Sequence, residues 1–175
     1  MSSSTDFHAL GMAVLTVSDT RNESSDSSGQ YLVSALTEAG HQLIDKQIVK
    51  DDIYQIRAAV SAWIANPSIE AVLITGGTGF SGRDSTPEAV SVLFDKVIEG
   101  FGEVFRAVSL QEIGSSTIQS RAIAGLANNT VLFCMPGSTG AGKTAWQSVI
   151  QEQLDSRHRP CNFVGVLKAR NGGGL

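Results

Sequence analysis

Two glycine-rich stretches and several aspartates supply the residue types that phosphate chemistry needs. The first stretch, Gly76-Gly77-Thr78-Gly79, follows an apolar run and leads into Arg83-Asp84-Ser85-Thr86-Pro87-Glu88. Glycines allow tight turns in which backbone N–H groups can face an anion. A carboxylate beside such a turn can hold Mg²⁺ bridged to a nucleotide, which makes Asp84 a candidate. Asp84 also suits an ordinary helix cap, and residue type alone leaves both readings open. Asp51, paired with Asp52 at the end of another apolar run, offers a second carboxylate. Adjacent acids ahead of a helix can equally complement its dipole. Asp19, which follows Ser18, and Asp26, inside a serine-rich stretch, carry the same ambiguity.

The second stretch, Gly137-Ser138-Thr139-Gly140-Ala141-Gly142-Lys143-Thr144, follows Pro136 and matches the pattern G-x-x-x-x-G-K-[ST] letter for letter. A loop of that kind surrounds phosphates with backbone N–H groups while the lysine reaches the terminal ones. Position argues against a hydrolase, because no later apolar strand ends in an aspartate that could hold the metal. A P-loop ATPase or kinase is one alternative, and a turn that helps bind an anion is another. Gly77-Thr78-Gly79-Phe80-Ser81-Gly82 matches G-x-G-x-x-G, yet Arg83-Asp84 intervenes before any helix signal, which speaks against a dinucleotide site. His8, His41 and His158 are scattered without metal-ligand spacing, and no G-x-S-x-G elbow occurs. Cys161 has no neighbouring base, so it reads as a structural thiol.

The elements that must position these residues show in the hydrophobic pattern. Met12–Val17, Ala71–Thr75 and Thr130–Met135 are short, nearly continuous and rich in β-branched residues, as strands covered on both faces are; Leu43–Val49 reads as another strand. Helical spacing appears from Tyr31 to Ala39, from Ile53 to Ile64, from Phe101 to Ile113 and from Ala145 to Leu154. Pro87 marks a first helical position, and Ser85 with Glu88 fits a capping box. Trp63 and Trp146 fall on apolar helix faces and read as core.

Strands alternating with helices predict an α/β fold: a three-layer α/β/α sandwich on a mostly parallel sheet. Ligands of such sheets sit beyond the carboxyl ends of the strands. Three predicted strands run into Ser18-Asp19, Gly76–Gly79 and Pro136–Gly140, so these loops are expected to meet at one edge.

The chain has 175 residues, enough for a single domain with a real core, here taken as 1–175 with loose ends at about 1–10 and 170–175. Thirteen basic against 17 acidic residues give a net charge of −4, which disfavours electrostatic capture of nucleic acid. No apolar run approaches the roughly 18–20 residues that cross a bilayer. No basic segment precedes an apolar one at the N-terminus, and the two cysteines make no disulfide framework, so a reduced cytoplasmic setting is expected.

Taken in order, Val17-Ser18-Asp19, Asp26-Ser27-Ser28-Gly29, Asp51, Thr75–Gly79, Arg83–Ala89, Phe101-Gly102-Glu103 and Met135–Ser138 resemble the molybdopterin-binding family of molybdenum cofactor biosynthesis proteins. Met135–Ala141 and the closing Arg157–Phe163 are similar to the B-type branch of that family. The resemblance runs from about Ala13 to Lys168. It implies adenylylation of molybdopterin, in which AMP from Mg·ATP joins the pterin's terminal phosphate and pyrophosphate leaves. It assigns catalysis and Mg²⁺ to Asp51 and Asp84. Molybdopterin and ATP are then lined by Ser18, Asp19, Asp26, Gly76, Gly77, Thr78, Gly79, Pro136, Gly137 and Ser138. It also implies a homo-oligomer, a trimer or a hexamer. The alternative within the same resemblance is a protein that binds molybdopterin, or stabilises a partner, without catalysis. Lys143 stands where relatives are expected to carry arginine, so a point charge replaces a bidentate fork.

Overall fold

A computed structural model describes residues 6–168 of the chain. Six strands form one sheet in the order β2-β1-β3-β6-β5-β4. The strands are β1 (Gly11–Val17), β2 (Gln42–Val49), β3 (Ala71–Thr75), β4 (Lys96–Val97), β5 (Ile123–Ala127) and β6 (Thr130–Met135). β1 pairs in parallel with β2 and β3, and β3 in parallel with β6. β5 and β4 complete the sheet antiparallel.

Both faces of the central strands are apolar, and alternate residues feed two cores. Met12, Val14, Leu73 and Phe133 pack on one side with Leu32, Leu36, Phe101, Phe105, Trp146 and Ile150. These belong to α1 (Ser27–Glu38), α4 (Glu99–Ile113) and the C-terminal helical segment. Ala13, Leu15, Val72, Ile74 and Leu132 pack on the other with Ile56, Val60, Trp63, Ala89 and Val90. These come from α2 (Ile53–Ala65) and α3 (Thr86–Ser91). The result is the expected α/β/α sandwich. The C-terminal segment begins as α5 (Thr139–Ala145), passes through a π-helical turn at Trp146–Ile150 and closes with α6 (Gln151–Gln153).

Three local expectations need correction. α1 starts at Ser27, inside the serine-rich stretch and ahead of the helical spacing that begins at Tyr31, because the Asp26 carboxylate accepts from Gly29 N and caps the helix. The antiparallel edge was not visible in the hydrophobic pattern; β5 and β6 are joined at Asn128-Asn129, whose φ values of 47° and 55° suit the tight hairpin. The stretch 1–10 is tied down where it is described. His8 N donates to Ser156 Oγ, Leu10 N donates to His41 Nδ1, and Leu10 is fully buried. Residues 1–5 and 170–175 of the expected loose ends lie outside the described residues.

The parallel strands end together. Gly76 N donates to Met135 O at 3.0 Å, and Thr75 Oγ1 donates to Pro136 O at 3.1 Å. Gly76 has φ +102°, and a Cβ there would lie 2.2 Å from Val17 O. Only glycine lets the loop leave β3 so close to β1.

Two outcomes follow. Gly76→Ala combines left-handed strain with a backbone clash and is expected to cost at least about 2 kcal/mol in denaturant unfolding. Gly82→Ala, with nothing within 4 Å of the added methyl, changes stability by less than about 0.5 kcal/mol. His41 is 5% exposed, and burial pushes its pKa down to about 4 from 6.5. The unfolded chain therefore binds a proton between those values that the folded chain refuses. Stability falls as pH drops from 6.5 to 4, by about 2 kcal/mol for this group. Unfolding measured across that window is expected to slope less in His41→Asn.

Candidate functional site

Beyond the carboxyl ends of β1, β3 and β6 lies a pocket of about 330 Å³. Its walls come from three loops: Ser18 and Arg21 after β1, Gly76–Gly79 with Asp84 after β3, and Pro136-Gly137 after β6. Thr16, Val17 and Thr75 add the strand ends, and Gln119 adds a side from the 3₁₀ turn Gly114–Gln119. Of the residues singled out in the sequence, Ser18, Gly76, Gly77, Thr78, Gly79, Asp84, Pro136 and Gly137 thus share one cavity.

The acidic residues divide by role. Asp84 Oδ2 accepts from Ser81 N at 2.9 Å, so its carboxylate folds over the glycine loop; a Cβ on Gly79 would lie 2.8 Å from it. Asp51 reaches the same loop from the end of β2. Its Oδ1 accepts from Ser85 N at 3.0 Å and Ser85 Oγ at 2.5 Å, and its Oδ2 would lie 2.7 Å from a Cβ on Gly77. Burial raises the Asp51 pKa, the two Ser85 bonds oppose the rise, and the negative charges of Asp84 and Asp19 add to it. Asp52 takes the other half of the pair's expected duties. It caps α2 by accepting from Tyr54 N and Gln55 N.

Asp19 stands outside the pocket lining. It accepts a two-pronged bond from Arg83, at 3.0 and 2.8 Å, and a bond from Asp51 N at 3.2 Å. The Arg83 guanidinium holds the Asp19 carboxyl below the usual aspartate range. Asp19 therefore ties the ends of β1 and β2 to the loop that carries Asp84.

Three expected lining residues, Asp19, Asp26 and Ser138, are not among those that line the pocket. Asp26 is fully buried behind the pocket wall, where it accepts from Thr16 Oγ1 at 2.9 Å and pairs with Lys46 at 3.0 Å. Ser138 caps α5 by accepting from Ala141 N and is not among the lining side chains. The expected capping box is also absent. Ser85 makes no side-chain cap because its hydroxyl is given to Asp51, and Glu88 pairs with Arg121.

The P-loop reading fails on geometry. A phosphate cradle needs a loop before its helix, but α5 begins at Thr139, the third residue of the pattern. Lys143 stacks over the Tyr31 ring at 5.7 Å, and Thr144 Oγ1 donates to Glu112 at 2.6 Å. The residues that would grip the terminal phosphate and its metal are engaged on other helices.

Arg21 and Gln119 were missed as lining residues. Arg21 comes two positions after Asp19, and its Nη1 donates to Ser28 Oγ at 2.9 Å while Ser28 Oγ donates to Gly137 O at 2.6 Å. That proximity was the available signal. Gln119 had none, since its place depends on the fold. Among the described residues no group of three or more His, Cys, Asp or Glu side chains forms a metal site, and no helix is long and apolar enough to cross a membrane.

Comparison with known proteins shows the family. Residues 13–156 match the family described as "Probable molybdopterin binding domain". The chain is 57% identical over 165 residues to molybdenum cofactor biosynthesis protein B of Escherichia coli strain K12, spanning 94% of this chain and 97% of that one. It is 49% identical over 142 residues to the Bacillus cereus protein of the same name, spanning 81% and 84%. A crystal structure of molybdenum cofactor biosynthesis protein B superposes with a TM-score of 0.82 at 47% identity, over 84% of this chain and 92% of that one. The tungsten cofactor synthesizing protein MoaB from Pyrococcus furiosus does so with a TM-score of 0.71 at 36% identity, over 78% and 88%. Sequence and fold thus converge, and the chain belongs to the molybdopterin-binding family of molybdenum cofactor biosynthesis proteins.

Proposed function

We propose that the chain binds molybdopterin at the glycine loop and joins AMP from Mg·ATP to its terminal phosphate. The named relatives act in molybdenum cofactor biosynthesis, and the proposal states which step this site suits. A phosphate oxygen of the pterin attacks the α-phosphorus of ATP. The bond to the β-phosphate bridging oxygen breaks, and pyrophosphate leaves with that electron pair.

One observation carries the reading. Asp51 and Asp84, from separate loops, direct their carboxylates onto the same Gly76–Gly79 turn, Asp51 against Gly77 and Asp84 against Gly79; Asp84 lines the pocket, and Asp51 stands outside its lining. The donor set fits Mg²⁺, which takes one or two carboxylates and completes its shell with substrate phosphates and water. When bound, the ion neutralises triphosphate charge that the acidic chain cannot offset by itself. Phosphoryl chemistry asks mainly for positioning and charge neutralisation. The chain supplies the first through loops held to one another: Thr86 N donates to Gly77 O at 2.9 Å, and Thr86 Oγ1 to Gly76 O at 2.8 Å. Arg21 contributes a cation to the pocket wall.

The test is to mix the protein with molybdopterin, ATP and Mg²⁺ and to follow pyrophosphate. Asp84→Asn is expected to lower turnover at least about 100-fold while the pterin remains bound. Normal turnover in that variant removes Asp84 from the mechanism. Pterin binding with no pyrophosphate from the unaltered protein favours the non-catalytic alternative. Turnover also depends on ionised Asp51, which burial makes harder to ionise. Ser85→Ala removes a bond that favours the charged form. The acid limb of the pH–rate profile is therefore expected to move upward in that variant.

A further inference from the structure

We propose that Arg121 is a positioning residue that sets the glycine loop and the Asp84 loop against each other for the chemistry; this rests on the adenylyltransferase reading of the site. Arg121 sits just ahead of β5 and is not among the residues that line the pocket. Its side chain nevertheless holds the pocket's loops from behind. Nε donates to Gly79 O at 2.9 Å and to Thr78 O at 3.2 Å, and Nη2 donates to Asp84 O at 3.0 Å. Nη1 pairs with Glu88 on α3, and Arg121 N donates to Thr78 O at 3.3 Å. The Phe80 ring covers the guanidinium at 5.1 Å.

These bonds fix peptide planes as well as side-chain positions. In a trans peptide the carbonyl and the N–H point in opposite directions. Arg121 holds the carbonyls of the 78–79 and 79–80 peptides, so the N–H groups of Gly79 and Phe80 turn away from it. The Asp84–Ser85 peptide is held at both ends. Its carbonyl accepts from Arg121, and its N–H donates to Asp51 Oδ1 at 3.0 Å. Arg121 thereby connects Asp51, the Asp84 loop and the glycine loop through one rigid unit. Only a planar fork of five donors can reach carbonyls on both loops and a carboxylate at once. Lysine keeps the charge and loses that span.

Arg106 provides the control. Its Nη1 donates to the carbonyls of Ser120 and Ala122, on either side of Arg121, and among the described residues no hydrogen bond joins its side chain to either loop. Arg106→Gln therefore disturbs the same segment without touching the site.

The experiment compares Arg121→Lys, Arg121→Gln and Arg106→Gln with the unaltered protein. It follows amide hydrogen exchange over residues 77–85, pyrophosphate release as a function of Mg²⁺, and molybdopterin affinity. Both Arg121 variants are expected to exchange at least about 10-fold faster in that segment. Their kcat is expected to fall about 10- to 100-fold, with more Mg²⁺ needed for half-maximal rate. Arg106→Gln keeps the segment's exchange and kcat. Unchanged exchange in the Arg121 variants overturns the proposal, and so does faster exchange with unaltered kcat and Mg²⁺ dependence. If the unaltered protein releases no pyrophosphate, the adenylyltransferase reading fails separately. Pterin affinity then decides: a loss of about 10-fold in Arg121→Lys supports the positioning role, and equal affinity overturns it. No pterin binding by the unaltered protein overturns both.

Discussion

Where β1, β3 and β6 run side by side in the same direction, their carboxyl ends have to emerge together, and three loops must share the space beyond them. Pairing of Met12–Thr16 with Ala71–Thr75, and of those residues with Val131–Met135, sets the three exits level to within a residue. The loops then contend for room. Gly76 accommodates Val17 O where any side chain would collide, and Thr75 bonds across to Pro136. The pocket is the gap that remains, so its location follows from strand direction before any side chain is chosen.

What the site adds is a web of bonds among loops that have no secondary structure of their own. Asp19 joins β1 to Arg83 and to Asp51 N. Asp51 reaches Ser85, Thr86 reaches Gly76 and Gly77, and Arg121 reaches Thr78, Gly79 and Asp84. Each bond takes an exposed or half-buried turn and gives it a single geometry. Catalytic groups held on loops act with precision only if other groups lock them. The polar side chains around the pocket serve this end as much as ligand contact. Among the described residues, buried side-chain polar atoms all have hydrogen-bond partners.

The central strands and the long helices were legible because a residue buried on both faces of a sheet must be apolar and a half-buried helix must repeat near every third or fourth position. The family resemblance was legible for a related reason: Gly-Gly-Thr-Gly followed by Asp-x-Thr-Pro-Glu is rare enough in combination to carry information. The edge of the sheet was not. Ile123-Ala124-Gly125-Leu126-Ala127 is short and interrupted by glycine, and it becomes a strand by pairing with β6. Arg121 gave no signal because most of its partners are carbonyls, which leave no mark on residue type, and its one carboxylate partner, Glu88, is 33 positions away along the chain.

By itself the sequence determined which residues could be buried, where the chain could turn and which loops could bear acid or glycine. Those properties are local, since burial periodicity and backbone freedom are set by neighbours along the chain. Only the tertiary structure decided which acid would do what. Asp51 and Asp52 are the same residue type one position apart, yet one caps a helix and the other reaches the glycine loop. Asp26 and Lys143 likewise had plausible site roles that distance removed. A carboxylate's task depends on what lies within about 3 Å of it, and such partners come from segments that only folding brings together.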